Sequence, residues 1–124
     1  MTQPLALILY EKLLPGSQLA NRLRDLGYRV QVVTEAASLV MLAQQEKPLL
    51  VLADLGSEQT DVCAVITELK NHPATSHLPV LAFAEQKRVE LQTRAHDAGA
   101  TLVASDELIL TQLPRLLEKV LEVE

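Results

Sequence analysis

Unbroken apolar runs alternate along this chain with stretches whose apolar residues recur at helical spacing. The most informative run is Lys47-Pro48-Leu49-Leu50-Val51-Leu52-Ala53-Asp54-Leu55. A short continuous apolar segment entered through a proline predicts a strand buried on both faces, as in the middle of a parallel sheet. The run stops on a carboxylate. An acid at the carboxyl end of such a strand stands where open α/β sheets place their ligand crevice. Asp54 equally fits a turn-capping role, because Asp54-Leu55-Gly56-Ser57 is ordinary turn chemistry.

The other elements follow from the same pattern. Residues 4–10 form a second unbroken apolar run, a buried strand ended by Glu11-Lys12. Pro15-Gly16-Ser17 reads as a turn whose serine caps a helix, with Leu19, Leu23 and Leu26 on its apolar side and Gly27 closing it. Residues 29–34 alternate, with Gln31 between valines, as expected of an edge strand. Thr34-Glu35 opens a helix carrying Ala36, Leu39, Val40 and Ala43, which must end before Pro48. After a polar loop over 56–60, Val62, Val65, Ile66 and Leu69 mark one buried helix face, with Cys63 beside it. Residues 71–77 form a loop leading into a buried strand at 78–84.

Residues 86–98 predict an exposed helix with a thin apolar side (Val89, Ala95, Ala98), ended by Gly99. A short strand over 101–105 follows. Leu113, Leu116, Leu117, Val120 and Leu121 form the strongest helical stripe, predicted to begin near Thr111 because Pro114 is tolerated only in a first turn. The sum is β-α repeated five times. Right-handed crossovers then place helices on both faces of one doubly wound parallel sheet, a single α/β domain over residues 1–124.

Composition narrows the function classes. With 124 residues, 48% of them hydrophobic, the chain can bury a full core, and at 2% aromatic that core is aliphatic. Scarce aromatics and a net charge of −5 argue against nucleic acid, which calls for stacking platforms and a basic footprint. Cys63, the single cysteine, has no internal disulfide partner and reads as a buried structural thiol. No run approaches the roughly 20 apolar residues needed to cross a bilayer, and the amino terminus lacks the pattern of a signal peptide. The expectation is a cytoplasmic protein with no membrane contact.

Three segments give the chain a resemblance to the receiver domains of bacterial two-component response regulators. They are Pro48-Leu49-Leu50-Val51-Leu52-Ala53-Asp54-Leu55, His72-Pro73-Ala74-Thr75-Ser76-His77-Leu78-Pro79-Val80-Leu81-Ala82-Phe83-Ala84, and Asp97-Ala98-Gly99-Ala100. The resemblance implies a flavodoxin-like sheet of strand order 2-1-3-4-5. It also implies a phosphoacceptor at Asp54. The family's two Mg²⁺-holding acids fall on Tyr10 and Glu11, so one carboxylate remains. Its switch hydroxyl falls on Ala84. Its lysine falls on Asp106, or on Ser105 with a one-residue gap.

These departures weaken the implied chemistry. Phosphoryl transfer relies on metal and cations to offset charge, and an acid in place of lysine opposes it. Glu11 with Asp54 leaves at most a weak Mg²⁺ site, since that ion accepts one or two carboxylates plus phosphate oxygens. A hydrogen bond to a charged group contributes about 1.5–3 kcal/mol, whereas inverting a two-state population takes about 5.5 kcal/mol. Without hydroxyl and lysine, little of that remains.

The expected function is therefore a receiver-like signalling module with a degenerate phosphorylation site. It would act through a protein partner, or by self-association, over the 86–124 face. There Leu108-Ile109-Leu110 either adds exposed apolar surface or packs beneath the loop into the last helix. The alternative is a true phospho-accepting single-domain regulator. An enzyme or cofactor binder is disfavoured: Pro15-Gly16-Ser17 is a poor phosphate cradle, and His72, His77 and His96 lack metal spacing.

Overall fold

The structure is a computed structural model that describes residues 3–11, 13–56 and 61–122. Strands β1 (Leu5–Leu9), β2 (Arg29–Val33), β3 (Leu50–Asp54), β4 (Val80–Ala84) and β5 (Leu102–Ser105) form one sheet, ordered β2-β1-β3-β4-β5. Every neighbouring pair is parallel. The doubly wound flavodoxin-like sheet expected from the sequence is the one observed.

Alternation along the strands divides the core into two layers. Leu7, Leu9, Val51, Ala53, Val80 and Ala82 point to one face, where they meet helices α2 (Leu39–Glu46), α3 (Val62–Asn71) and α4 (Val89–Ala98). Ala6, Ile8, Leu50, Leu52, Leu81 and Phe83 point to the other, against α1 (Leu13–Asp25), α5 (Asp106–Thr111) and α6 (Leu113–Glu122). The three central strands are buried residue for residue, which is why their runs carry no polar break. β2 and β5 are the edges and are only partly covered. No helix among the described residues is long and apolar enough to cross a membrane.

Several local expectations are corrected. Pro15-Gly16-Ser17 is not a turn, since α1 runs from Leu13 through all three. A first helical turn does not spend its N–H groups within the helix, so Pro15 costs it nothing there. Leu26 lies just beyond α1 and is exposed rather than part of its stripe. Gly27, at φ 96°, reverses the chain while Tyr28 N–H reaches Leu23 C=O at 3.0 Å. Leu49 precedes β3 and is exposed, so the buried run starts one residue later. Val89 is the most exposed large apolar residue described, and Ala95 alone anchors α4 as a buried residue. Most of the 56–60 loop lies outside the described residues.

The largest difference is after β5. Residues 106–111 were expected to be loop, yet they form α5, and the last helix begins at Leu113 instead of Thr111. Ser105 caps α5, its Oγ accepting the Leu108 N–H at 3.1 Å. Pro114 explains the break at Gln112: a continuous helix would need its absent N–H to bond the carbonyl of residue 110. In the Leu108-Ile109-Leu110 run, Ile109 is fully buried, Leu110 is half-buried and Leu108 faces solvent. One turn of helix thus hides part of the run and shows the rest.

Candidate functional site

The carboxyl ends of the strands gather the residues singled out in the sequence. Asp54 ends β3 and is one of two buried polar side chains among the described residues, the other being Thr75. Its Oδ1 accepts the Gly56 N–H at 2.9 Å, so the turn-capping role is realised. The same carboxylate stands at the crevice end of the central strand, so the two readings of Asp54 are compatible. A Cβ at position 56 would lie 3.2 Å from that oxygen, which favours glycine there.

Tyr10 and Glu11 follow β1 on one side of Asp54. Tyr10 donates its N–H to Val33 C=O at 3.1 Å, and its ring packs against the α1 side of the core. That ring lies directly on Gly16: a Cβ built there would collide with the ring carbons. Close approach explains a glycine inside α1. Glu11 is exposed.

On the other side, Ala84 ends β4, fully buried in the first core layer, and pairs in register with Ser105 at the end of β5. The Ser105 hydroxyl is engaged as the α5 cap, and Asp106 begins that helix. The strand ends thus present a buried aspartate flanked by a tyrosine, a methyl group, a capping serine and a second aspartate. Among the described residues, no three of His, Cys, Asp and Glu come together in a metal-sized group. His72, His77 and His96 belong to no such group: His72 Nδ1 accepts the Ala74 N–H at 3.1 Å, and His96 faces Asp97 at 3.8 Å on an exposed stretch of α4.

Several side-chain contacts around α3 also order this region. Asp61 caps α3, its Oδ1 accepting the Ala64 N–H at 3.3 Å, while its Oδ2 receives Arg94 Nη2 of α4 at 2.8 Å. An acid immediately before the Val62 stripe was a legible cap signal; its partner across 33 residues was not. Lys70 donates to Leu78 C=O at 2.6 Å, and its stem lies against Gly99, where φ is +111°. Burial pulls the Lys70 ammonium below its ordinary value. Thr75 pins the same loop, its hydroxyl donating to Leu69 C=O at 2.7 Å. The His72–Pro79 motif therefore does structural work in leading the chain from α3 into β4.

Cys63 is buried as expected, with its Sγ 3.9 Å from Leu91 C=O. Burial pushes its thiol up, against a smaller downward pull from Arg94.

The architecture is the one shared by receiver domains. No family model and no curated protein sequence matches the chain. Its fold matches a candidate response regulator from Chloroflexus aurantiacus at TM-score 0.89 and 19% identity, over 98% of this chain and 99% of that one. It also matches the receiver domain of a sensor histidine kinase from Pseudomonas aeruginosa PAO1, solved with magnesium coordinated in its active site cleft. That match has TM-score 0.86 and 18% identity, over 98% and 99% of the two chains. The receiver domain of NtrX from Brucella abortus matches at 0.81 and 23% identity, over 96% and 99%. At these identities the likeness is one of fold.

Proposed function

We propose that this chain is a receiver-like module of a two-component type signalling system, cytoplasmic and non-enzymatic, which works by contacting a protein rather than by phosphate switching. The observation that carries this reading is the composition of the strand ends. Asp54 occupies the phosphoacceptor position, but Ala84 offers no hydroxyl and Ser105 or Asp106 offers no cation. Tyr10 supplies a ring, packed onto Gly16, in place of a carboxylate. A magnesium ion held by Glu11 and Asp54 would draw the rest of its shell from water and phosphate oxygens, a weak arrangement. The contact surface we favour spans α4 to α6, where Val89 and Leu108 are exposed.

A second reading is a phospho-accepting regulator using Asp54 and Mg²⁺. It draws support from the burial of Asp54 at the crevice end of the central strand, and from the magnesium in the Pseudomonas neighbour. Incubation with acetyl phosphate and Mg²⁺, followed by intact mass measurement, separates the two. No added phosphoryl group is expected. A gain that disappears in Asp54→Asn would establish the second reading instead.

A further inference from the structure

The amino-terminal corner of the sheet, away from the strand ends discussed above, carries an open groove of about 600 Å³. It is lined by Gln3, Leu5, Arg24, Tyr28, Arg29, Val30 and Gln31. Two guanidinium groups belong to it and no carboxylate does, in a chain whose net charge is −5. Arg24 donates to Asn21 Oδ1 at 3.1 Å and Arg29 to Gln3 C=O at 3.2 Å. Among the described residues neither takes part in an ion pair.

The groove lies where β1 and β2 begin, and β2 is the outer strand on that side of the sheet. Arg29 donates its N–H to Pro4 C=O, and Val33 C=O accepts from Tyr10, so these residues turn their backbone groups toward β1. In a parallel ladder alternate residues face opposite neighbours, which turns the N–H and C=O of Val30 and Val32 to the open side. The two arginines stand at the start of this strand, on elements that belong to opposite faces of the sheet. Arg29 shares the row of Leu5, in the core layer beneath α2 and α3. Arg24 belongs to α1, which packs on the other layer together with Tyr28 and Val30.

We propose that this edge binds an extended acidic segment of a partner protein, which pairs with β2 as a sixth strand. Successive side chains of an added strand point to opposite faces, so two neighbouring carboxylates would reach Arg29 on one face and Arg24 on the other. Backbone bonds to Val30 and Val32 supply the strand pairing, and the two guanidinium groups supply the choice of partner. A second copy is the competing occupant, and charge favours an acidic partner over it, because the groove offers two guanidinium groups and no carboxylate. Charged residues on an edge also deter self-pairing of identical chains.

The test uses the full chain and a short fluorescent peptide of valine and threonine with a central pair of glutamates, alongside its glutamine counterpart. Anisotropy is read at low and high salt, and amide exchange is followed by NMR. The glutamate peptide is expected to bind, to weaken with salt, and to slow exchange at the Val30 and Val32 amides. Arg24→Ala with Arg29→Ala, both at exposed positions, should weaken it by roughly a hundredfold or more, about tenfold or more for each charge-assisted hydrogen bond lost. Absence of binding overturns the proposal, as does equal binding of the glutamine peptide or unchanged affinity in the double variant. Protection confined to amides elsewhere, or dimers of the free chain that bury β2, would overturn it too.

Discussion

Asp61 serves two masters, and its two oxygens can be separated by mutation. Oδ1 caps α3 through the Ala64 N–H at 3.3 Å, slightly beyond the best range, so the cap belongs at the lower end of the usual ~0.5–2 kcal/mol. Oδ2 meets Arg94 at 2.8 Å, but the two side chains are 51% and 55% exposed, which limits that pair to about 0.2–1 kcal/mol. Asp61→Ala removes both and should cost about 1–1.5 kcal/mol by urea denaturation. Asp61→Asn keeps a good capping group and loses the charge, so it should cost about 0.5 kcal/mol. Arg94→Ala should cost a similar amount, and combining it with Asp61→Asn should add little. High salt should shrink the Asp61→Asn effect and leave most of the Asp61→Ala effect in place. If Asp61→Asn proves as damaging as Asp61→Ala, charge rather than capping holds the start of α3, and the division drawn here is wrong.

Two further outcomes follow from single contacts. Gly16→Ala gains helix propensity of up to about 1 kcal/mol, but the new methyl meets the Tyr10 ring, so the variant should be destabilised by about 1–3 kcal/mol. In a Tyr10→Ala background the same change should become stabilising, and unfolding curves that show no such change of sign refute the packing argument. Burial raises the Cys63 thiol above its ordinary 9.0, so the folded state holds that proton after the unfolded chain has lost it. The resulting stability is present below pH 9 and declines as pH rises through the folded value. Stability of the native chain should therefore fall faster above pH 9 than that of Cys63→Ala, and thiol labelling should be slow while the fold persists; parallel slopes would contradict this.

Much of this protein was written in its local pattern. Unbroken apolar runs specify β1, β3 and β4 because a strand covered on both faces can tolerate no polar side chain. Gly27 and Gly99 end helices because their positive φ suits a residue without Cβ, and Pro48 bounds α2 by steric exclusion. The position of Asp54 at a strand end was likewise readable. What local pattern could not decide were matters settled by a partner distant in sequence. Whether Pro15-Gly16-Ser17 turns or coils depends on the Tyr10 ring resting on Gly16. Whether Asp61 merely caps or also clamps depends on Arg94 in α4. The division of the last helix needed Ser105 and Pro114 to be weighed together. The groove beside β2 exists only because α1, β1 and β2 bring Arg24, Gln3 and Arg29 to one corner. Apolar periodicity records which face of an element is buried, whereas the side chains that meet across that face are chosen by the packing of the whole sheet.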